Sequence, residues 1–324
     1  MNEKHRWGRS STRFPGVLRV GCAVLAVLVC VTAAAAEHRP QTRPDDAKSD
    51  SAASGTTTSA PAWPPPGEDL LPYPEGFDPT TSDPRAIALV ISCQDTMGGL
   101  QAWSANPSIR FEFVVEREDK VLGRRLHYWD RQASRHRVEM TDAQGRDLVI
   151  AQSLANHSGT ATVDGGPASG DRLRELLKRG YAAWVNDIYW LAMPFKSVDR
   201  GVKLAYEGSR MEGGHKYQIV HLTFDNVGLT PGDSYWAWIE SKTRQMDYWS
   251  YKLEKTPRTQ GETRFTWEKW EKFGPLRLSL IKRQIDTGGG GPMLTIRFDH
   301  VALPGPLPDA LFQADQPVPD HLAP

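Results

Sequence analysis

The chain reads as a mainly β protein: a curved antiparallel sheet of about 10–12 strands wrapped around two or three helices. Three observations predict it. A dozen short segments alternate apolar and polar residues with period two, the signature of strands. Two stretches show helical spacing instead. The joints between segments are short and polar, which suits hairpins better than crossovers.

The order of elements begins outside the fold. Lys4, Arg6, Arg9, Arg13 and Arg19 precede an uncharged run from Val20 to Ala36 that ends in four alanines. That arrangement predicts a secretory signal peptide over 1–36, cleaved before Glu37. An uncleaved anchor and a lipoprotein acylated on Cys30 are the alternatives. Residues 37–76 are rich in Pro, Ser and Thr and poor in large aliphatics, so a disordered linker is expected there. One domain should follow over 77–316, with 317–324 as a tail. Cys22 and Cys30 leave with a cleaved signal, and Cys93 alone remains. An exported domain with one thiol has no internal disulfide and depends on its core.

Within the domain, Ser82-Asp83-Pro84 offers an N-cap and a first-turn proline to a helix carrying Ile87, Val90, Ile91 and Met97, which Gly98-Gly99 stops. Strands follow at Ile109–Val115, Leu126–Trp129, Val138–Met140, Leu148–Ala151 and Thr160–Val163. A helix from Asp171 to about Leu191 carries Leu173, Leu176, Leu177, Trp184 and Ile188, and Pro194 is expected to end it. The remaining strands are Val202–Tyr206, Tyr217–Phe224, Tyr235–Ile239, Met246–Leu253, Phe265–Phe273, Leu276–Ile285 and Leu294–Val301. A sheet that long curls, and the helices are what can cover its apolar face.

Lys plus Arg equal Asp plus Glu at 39 each, so the formal net charge is zero. A nucleic-acid partner, which needs a basic face, is thereby disfavoured.

The hairpin Tyr235-Trp-Ala-Trp-Ile-Glu-Ser-Lys-Thr-Arg-Gln-Met-Asp-Tyr248 resembles a signature of the LolA-like superfamily, periplasmic carriers of outer-membrane lipoproteins. Its tip, Glu240-Ser241-Lys242-Thr243, keeps the acid and threonine of the superfamily's Asp-Pro-x-Thr but lacks the proline. Arg297-Phe298-Asp299-His300-Val301 and Pro308-Asp309-Ala310-Leu311-Phe312 are similar to its closing strand and tail. Leu191-Ala-Met-Pro-Phe-Lys196 with Asp199-Arg-Gly-Val202 and Val220-His-Leu-Thr-Phe224 is more like an uncharacterised branch. The resemblance implies a half-barrel around helices with an apolar cavity, a periplasmic location, and a hydrophobic ligand such as an acyl chain or a lipidated protein.

Catalytic signatures are missing. No metalloprotease, Walker A, dinucleotide-binding or nucleophile-elbow motif is present. Gly288 to Gly291 precede a strand and not a helix, so they read as a hairpin loop. Ser234 sits at a strand start, and a hydrolase centred on it or on a histidine pair is the remote alternative. His127, His136, His157, His215, His221 and His300 show no metal-ligand spacing; His221 and His300 could meet across the sheet, though satisfied strand histidines are the simpler reading. Asp225, Asp233, Glu240 and Asp247 read as turn and cap residues. Neither catalytic residues nor a cofactor or metal is expected.

The aromatic hairpin carries the functional expectation. With Ile239 facing Met246, one face holds Tyr235, Ala237, Ile239, Met246, Tyr248 and Ser250. The other then holds Trp236, Trp238, Asp247, Trp249, Tyr251 and Leu253, with Trp236 opposite Trp249. One face is either plain core or the lining of a cavity, with Trp184, Trp190, Leu191 and Phe195 opposite Trp236, Trp238, Trp249, Tyr251 and Leu253. The leading reading is a non-enzymatic exported carrier of an acyl chain or lipid. An envelope protein–protein interaction module is the alternative, and the oligomeric state is left open.

Overall fold

The computed structural model describes residues 73–118, 120–225, 230, 232–255, 261–286 and 293–324. The expected signal peptide, most of the expected linker and the glycine run lie outside them.

The chain enters through α1 (Pro84–Thr96), whose Asp83 cap accepts from Arg85 N at 2.8 Å, with proline at the first helical position. Its buried face holds Ile87, Leu89, Val90 and Cys93. A short helix not expected from the sequence, α2 (Gly99–Ala105), follows directly. The turn between them requires glycine: Gly98 has φ 110°, and a Cβ there would lie 2.3 Å from the Pro275 carbonyl oxygen.

The strands are β1 (Ser108–Arg117), β2 (Lys120–Asp130), β3 (Arg135–Thr141), β4 (Asp147–Ser153), β5 (Gly159–Val163) and the two-residue β6 (Gly166–Pro167). Helix α3 (Gly170–Lys196) comes next, then β7 (Val202–Glu212), β8 (His215–Phe224), β9 (Ser234–Glu240), β10 (Met246–Lys252) and β11 (Thr263–Thr266). β12 (Glu268–Phe273), β13 (Leu276–Ile285) and β14 (Leu294–Ala302) complete the set. All pair antiparallel in one sheet of order β6-β5-β4-β3-β2-β1-β14-β13-β11-β10-β9-β8-β7, with β12 beside β13. The two ends, β6 and β7, do not pair, so the sheet is an open half-barrel and not a closed barrel. With the usual twist at each pair, fourteen strands curve around whatever covers their apolar face.

Helix α3 is that cover. Its first half sets Leu176 and Leu177 against Val138, Met140, Leu148 and Ile150 of β3 and β4. Gly180 lets it come close: a Cβ there would meet the Ile150 side chain at 2.8 Å. Its second half carries Trp190 onto the rings of Trp249 and Phe265. Pro194 does not end the helix, as the sequence suggested. The proline conflict is instead absorbed upstream, where Ala192 leaves helical geometry (φ −136°, ψ 30°) and the chain resumes to Lys196. Side chains serve the carbonyls around the break: Gln94 Nε2 donates to Pro194 O at 2.7 Å and Ser197 Oγ to Met193 O at 3.0 Å.

The C-terminal segment binds the outside of the sheet. Leu307, Leu311, Phe312 and Leu322 pack with Tyr128. Arg137 donates to the carbonyls of Leu311, Gln313 and Gln316 at 3.0–3.1 Å, and Arg110 to those of Leu322 and Ala323.

Candidate functional site

The hairpin β9–β10 departs from the expected register in one place. Met246 faces Ile239 as expected, but Asp247 is an extra residue, and beyond it Tyr248 pairs with Trp238, Trp249 with Ala237 and Tyr251 with Tyr235. The bulge exchanges the faces of β10. Trp236 therefore lies opposite Ser250 and not Trp249. Trp249 and Tyr251 join Tyr235, Ala237, Ile239 and Met246 on the face toward the helices. Trp236, Trp238 and Tyr248 turn outward. Asp247 holds the bulge: its carbonyl accepts from Trp267 N at 2.7 Å, and its carboxylate accepts from Tyr217 Oη at 3.2 Å and Gln245 Nε2 at 3.0 Å.

The inner face is an aromatic wall. Trp190 of α3 meets Phe265 at 4.8 Å between ring centroids, and Trp249 and Tyr251 at 6.2 Å each. Trp249 stacks on Trp267 at 6.1 Å. Leu191 and Phe195 are buried nearby on the same helix, Phe195 stacked on Trp103 at 4.6 Å. Of the nine expected lining residues, the fold thus brings Trp190, Trp249 and Tyr251 into one cluster. Trp184 lies further along α3, edge-on to Trp129, and Leu253 is half-buried just past the end of β10.

Trp236 and Trp238 belong to a second, outer cluster. Trp238 packs with Tyr217, Ile219 and Tyr248, under the guanidinium groups of Arg264 at 4.8 Å and Arg210 at 5.2 Å. Trp236 stacks on His221 at 4.7 Å, and Glu207 bonds both the indole and the imidazole at 3.0 Å.

Lys282 is the unexpected member of the inner face. It pairs with Ile296, so its side chain shares the face of Leu276, Leu278 and Leu280, and it is fully buried. Nζ sits 4.3 Å from the Trp267 ring and 4.4 Å from the Phe298 ring, and donates to Ser279 O. Among the described residues no carboxylate forms an ion pair with it. Burial pushes its amine well below the ordinary lysine range, with nothing opposing. The indole N–H groups of Trp249 and Trp267 are also buried without an acceptor.

A separate polar network fastens α3 to the other half of the sheet. Fully buried Asp187 takes a two-pronged contact from Arg125 at 2.6 and 2.7 Å and bonds His127 Nε2 at 2.8 Å. His127 Nδ1 in turn meets His136 Nε2 at 2.9 Å. Burial alone would raise the Asp187 carboxyl; Arg125 and the His127 hydrogen bond overcome it and hold it at about 2. Burial lowers both imidazoles, His136 the more strongly. The sequence reading missed this pair because it sought metal spacing along the chain. The two are diagonal neighbours across β2–β3, where His127 pairs with Val138 and His136 with Trp129.

The remaining candidates fall where turns and core place them. His221 and His300 are on β8 and β14, with four strands between. Ser234 faces Lys252, with no histidine bonded to it among the described residues. Glu240 accepts from Lys242 N and Thr243 N at the hairpin tip, and Asp233 from Glu254 N and Tyr235 Oη. Cys93 is buried, its thiol pushed up to about 12 by burial. Among the described residues no His, Cys, Asp and Glu group could hold a metal, and no helix is long and apolar enough to cross a membrane. A pocket of about 480 Å³ opens on the rim, between Asn106, Phe273, Pro275, Val301 and Leu303.

No family model and no curated protein matches the chain. Among solved structures it is similar to a LolA superfamily protein from Nitrosomonas europaea, at 10% identity over 71% of this chain and 98% of that one, TM-score 0.43. A DUF1329 family protein from Desulfovibrio piger matches at 11% identity over 70% and 97%, TM-score 0.41. Lipoprotein LppX from Mycobacterium tuberculosis matches at 10% identity over 68% and 96%, TM-score 0.26.

Proposed function

We propose that the protein is an exported, non-enzymatic carrier that holds an acyl chain, lipid or other hydrophobic ligand against the inner face of the half-barrel. Its contacts would come from Trp190, Leu191, Phe195, Trp249 and Tyr251, with Trp184 and Leu253 at the margins. The observation that carries the reading is the way the aromatic wall is covered. Its cover is a helix and not another layer of strands, and that helix is broken at Ala192, between Trp190 and Phe195. Parting a helix from a sheet leaves both backbones hydrogen-bonded internally, so an apolar chain can replace apolar side-chain contacts without orphaning peptide groups. Each methylene moved from water onto such a surface is worth about 0.8 kcal/mol. The periplasm is the compartment that this reading assigns, supported by the signal peptide expected over residues 1–36.

The protein–protein alternative calls for a contiguous exposed patch on a face or edge of the sheet, one face of the hairpin being a candidate. On the hairpin's outer face Trp238 is buried under Arg210 and Arg264, while Trp236 and Tyr248 are half-buried.

The test is native mass spectrometry of the full chain purified from an exporting host. The expected result is a bound species that organic extraction removes and that is identified as lipid. Apo protein alone, together with no uptake of a fluorescent acyl probe, would sink the proposal.

A further inference from the structure

Three hydrogen-bond donors of the inner face, on Lys282, Trp267 and Trp249, lie in one series of ring contacts. Lys282 Nζ has one protein acceptor, Ser279 O, for three protons. Trp267, whose ring it contacts at 4.3 Å, has a buried indole N–H with no partner. Trp249, stacked on Trp267 at 6.1 Å, has another. Carboxylates that might have answered are committed elsewhere. Asp187 serves Arg125 and His127; Glu268 serves Arg283 and Thr266; Asp247 faces Tyr217 on the outside. A methionine or leucine would fill the same space without the cost of burying an amine.

We propose that Lys282 anchors the head group of a long-chain carboxylate, so that the ligand of the inner face is an acyl chain ending in an acid. This rests on the carrier reading above. A carboxylate has two acceptor oxygens, which suit an ammonium group and adjacent indole N–H donors. Phe298 and Trp267 touch Lys282, and Trp249, stacked on Trp267, continues through Trp190 to Phe265 as a surface for the chain.

The test compares dodecanoate with dodecanol, two ligands of equal chain length, by displacement of an uncharged fluorescent apolar probe from the full-length protein. Wild type should bind dodecanoate at least tenfold more tightly than dodecanol. Lys282→Met should erase that preference while changing dodecanol affinity less than twofold. Equal binding of the two by wild type, or a preference that survives in Lys282→Met, overturns the anchor and leaves the carrier intact. Binding of neither overturns both. Should Lys282→Met fail to fold, the wild-type comparison still decides.

Discussion

A lysine between two aromatic faces gains of order 1 kcal/mol from each ring, while stripping water from an ammonium ion costs several. The lowered amine of Lys282 records that imbalance. Removing the group in the ligand-free protein should therefore help: Lys282→Met is expected to raise stability by about 1–4 kcal/mol, read from the urea midpoint at pH 7. Burial makes the folded lysine release its proton at lower pH than the unfolded one, whose ordinary value is 10.5, so stability of the wild type rises with pH between the folded value and 10.5. The advantage of the variant should shrink over the same range; an advantage that stays constant would contradict the assignment. Asp187 is the opposite case, an acid whose partners would be left stranded. Asp187→Ala should cost about 3–5 kcal/mol by breaking a buried pair. At this scale the sequence was partly legible. Counting by twos from Leu276 through Leu278 and Leu280 reaches Lys282, so its inward direction was there to be read. The lack of a partner was not, because that depends on every strand facing it. Cys93, by contrast, was legible as buried from its helical stripe alone.

Among the elements, β10 shows what a single extra residue does. The hairpin, its tip and the Ile239–Met246 pair followed from the pattern and the resemblance, but both faces of β10 are apolar, so alternation could not signal a bulge at Asp247. What fixes it is distant: Trp267 N and Tyr217 Oη reach Asp247 from β11–β12 and β8. Deleting Asp247 should close the bulge into a regular ladder, with Met246 still opposite Ile239, Tyr248 opposite Trp238 and Trp249 opposite Ala237, so that Trp249 and Tyr251 keep facing Trp190. The expected outcome is a loss of about 1–3 kcal/mol, from the hydrogen bonds that Trp267 and Tyr217 make to Asp247, with the near-ultraviolet circular dichroism of the aromatic wall retained. A deletion variant whose near-ultraviolet signal collapses would show that the ladder does not re-form in this register. Helix α3 taught the complementary lesson. Pro194 correctly marked a break, yet helical geometry failed two residues earlier, and Gln94 and Ser197 let the chain continue. Phe265–Phe273 likewise split into two strands at Trp267, whose ring turns inward onto Trp249.

For the whole molecule, period-two alternation, two helical stretches and short turns were enough to specify an open antiparallel sheet around helices. The order in which β14 and β13 join β1 to the second half of the sheet came from tertiary packing. The buried imidazoles give the molecule a pH dependence. His127 and His136 are held below the ordinary value of 6.5 by burial, so the unfolded chain takes up protons first as pH falls through that value. Stability contributed above 6.5 is then lost on acidification, at about 1.4 kcal/mol per pH unit for each proton. Thermal midpoints should drop from pH 7 to pH 5, and His136→Gln should flatten the slope by about one proton's worth. An unchanged slope in that variant would place the titration elsewhere. The central claim, that the inner face is where a hydrophobic ligand sits, is tested most directly by a crystal structure of the protein with a brominated dodecanoate. The account predicts anomalous bromine signal between α3 and β10–β13, with the carboxylate at Lys282 Nζ. Bound ligand with its bromine on the outer face, or in the rim pocket alone, would contradict it.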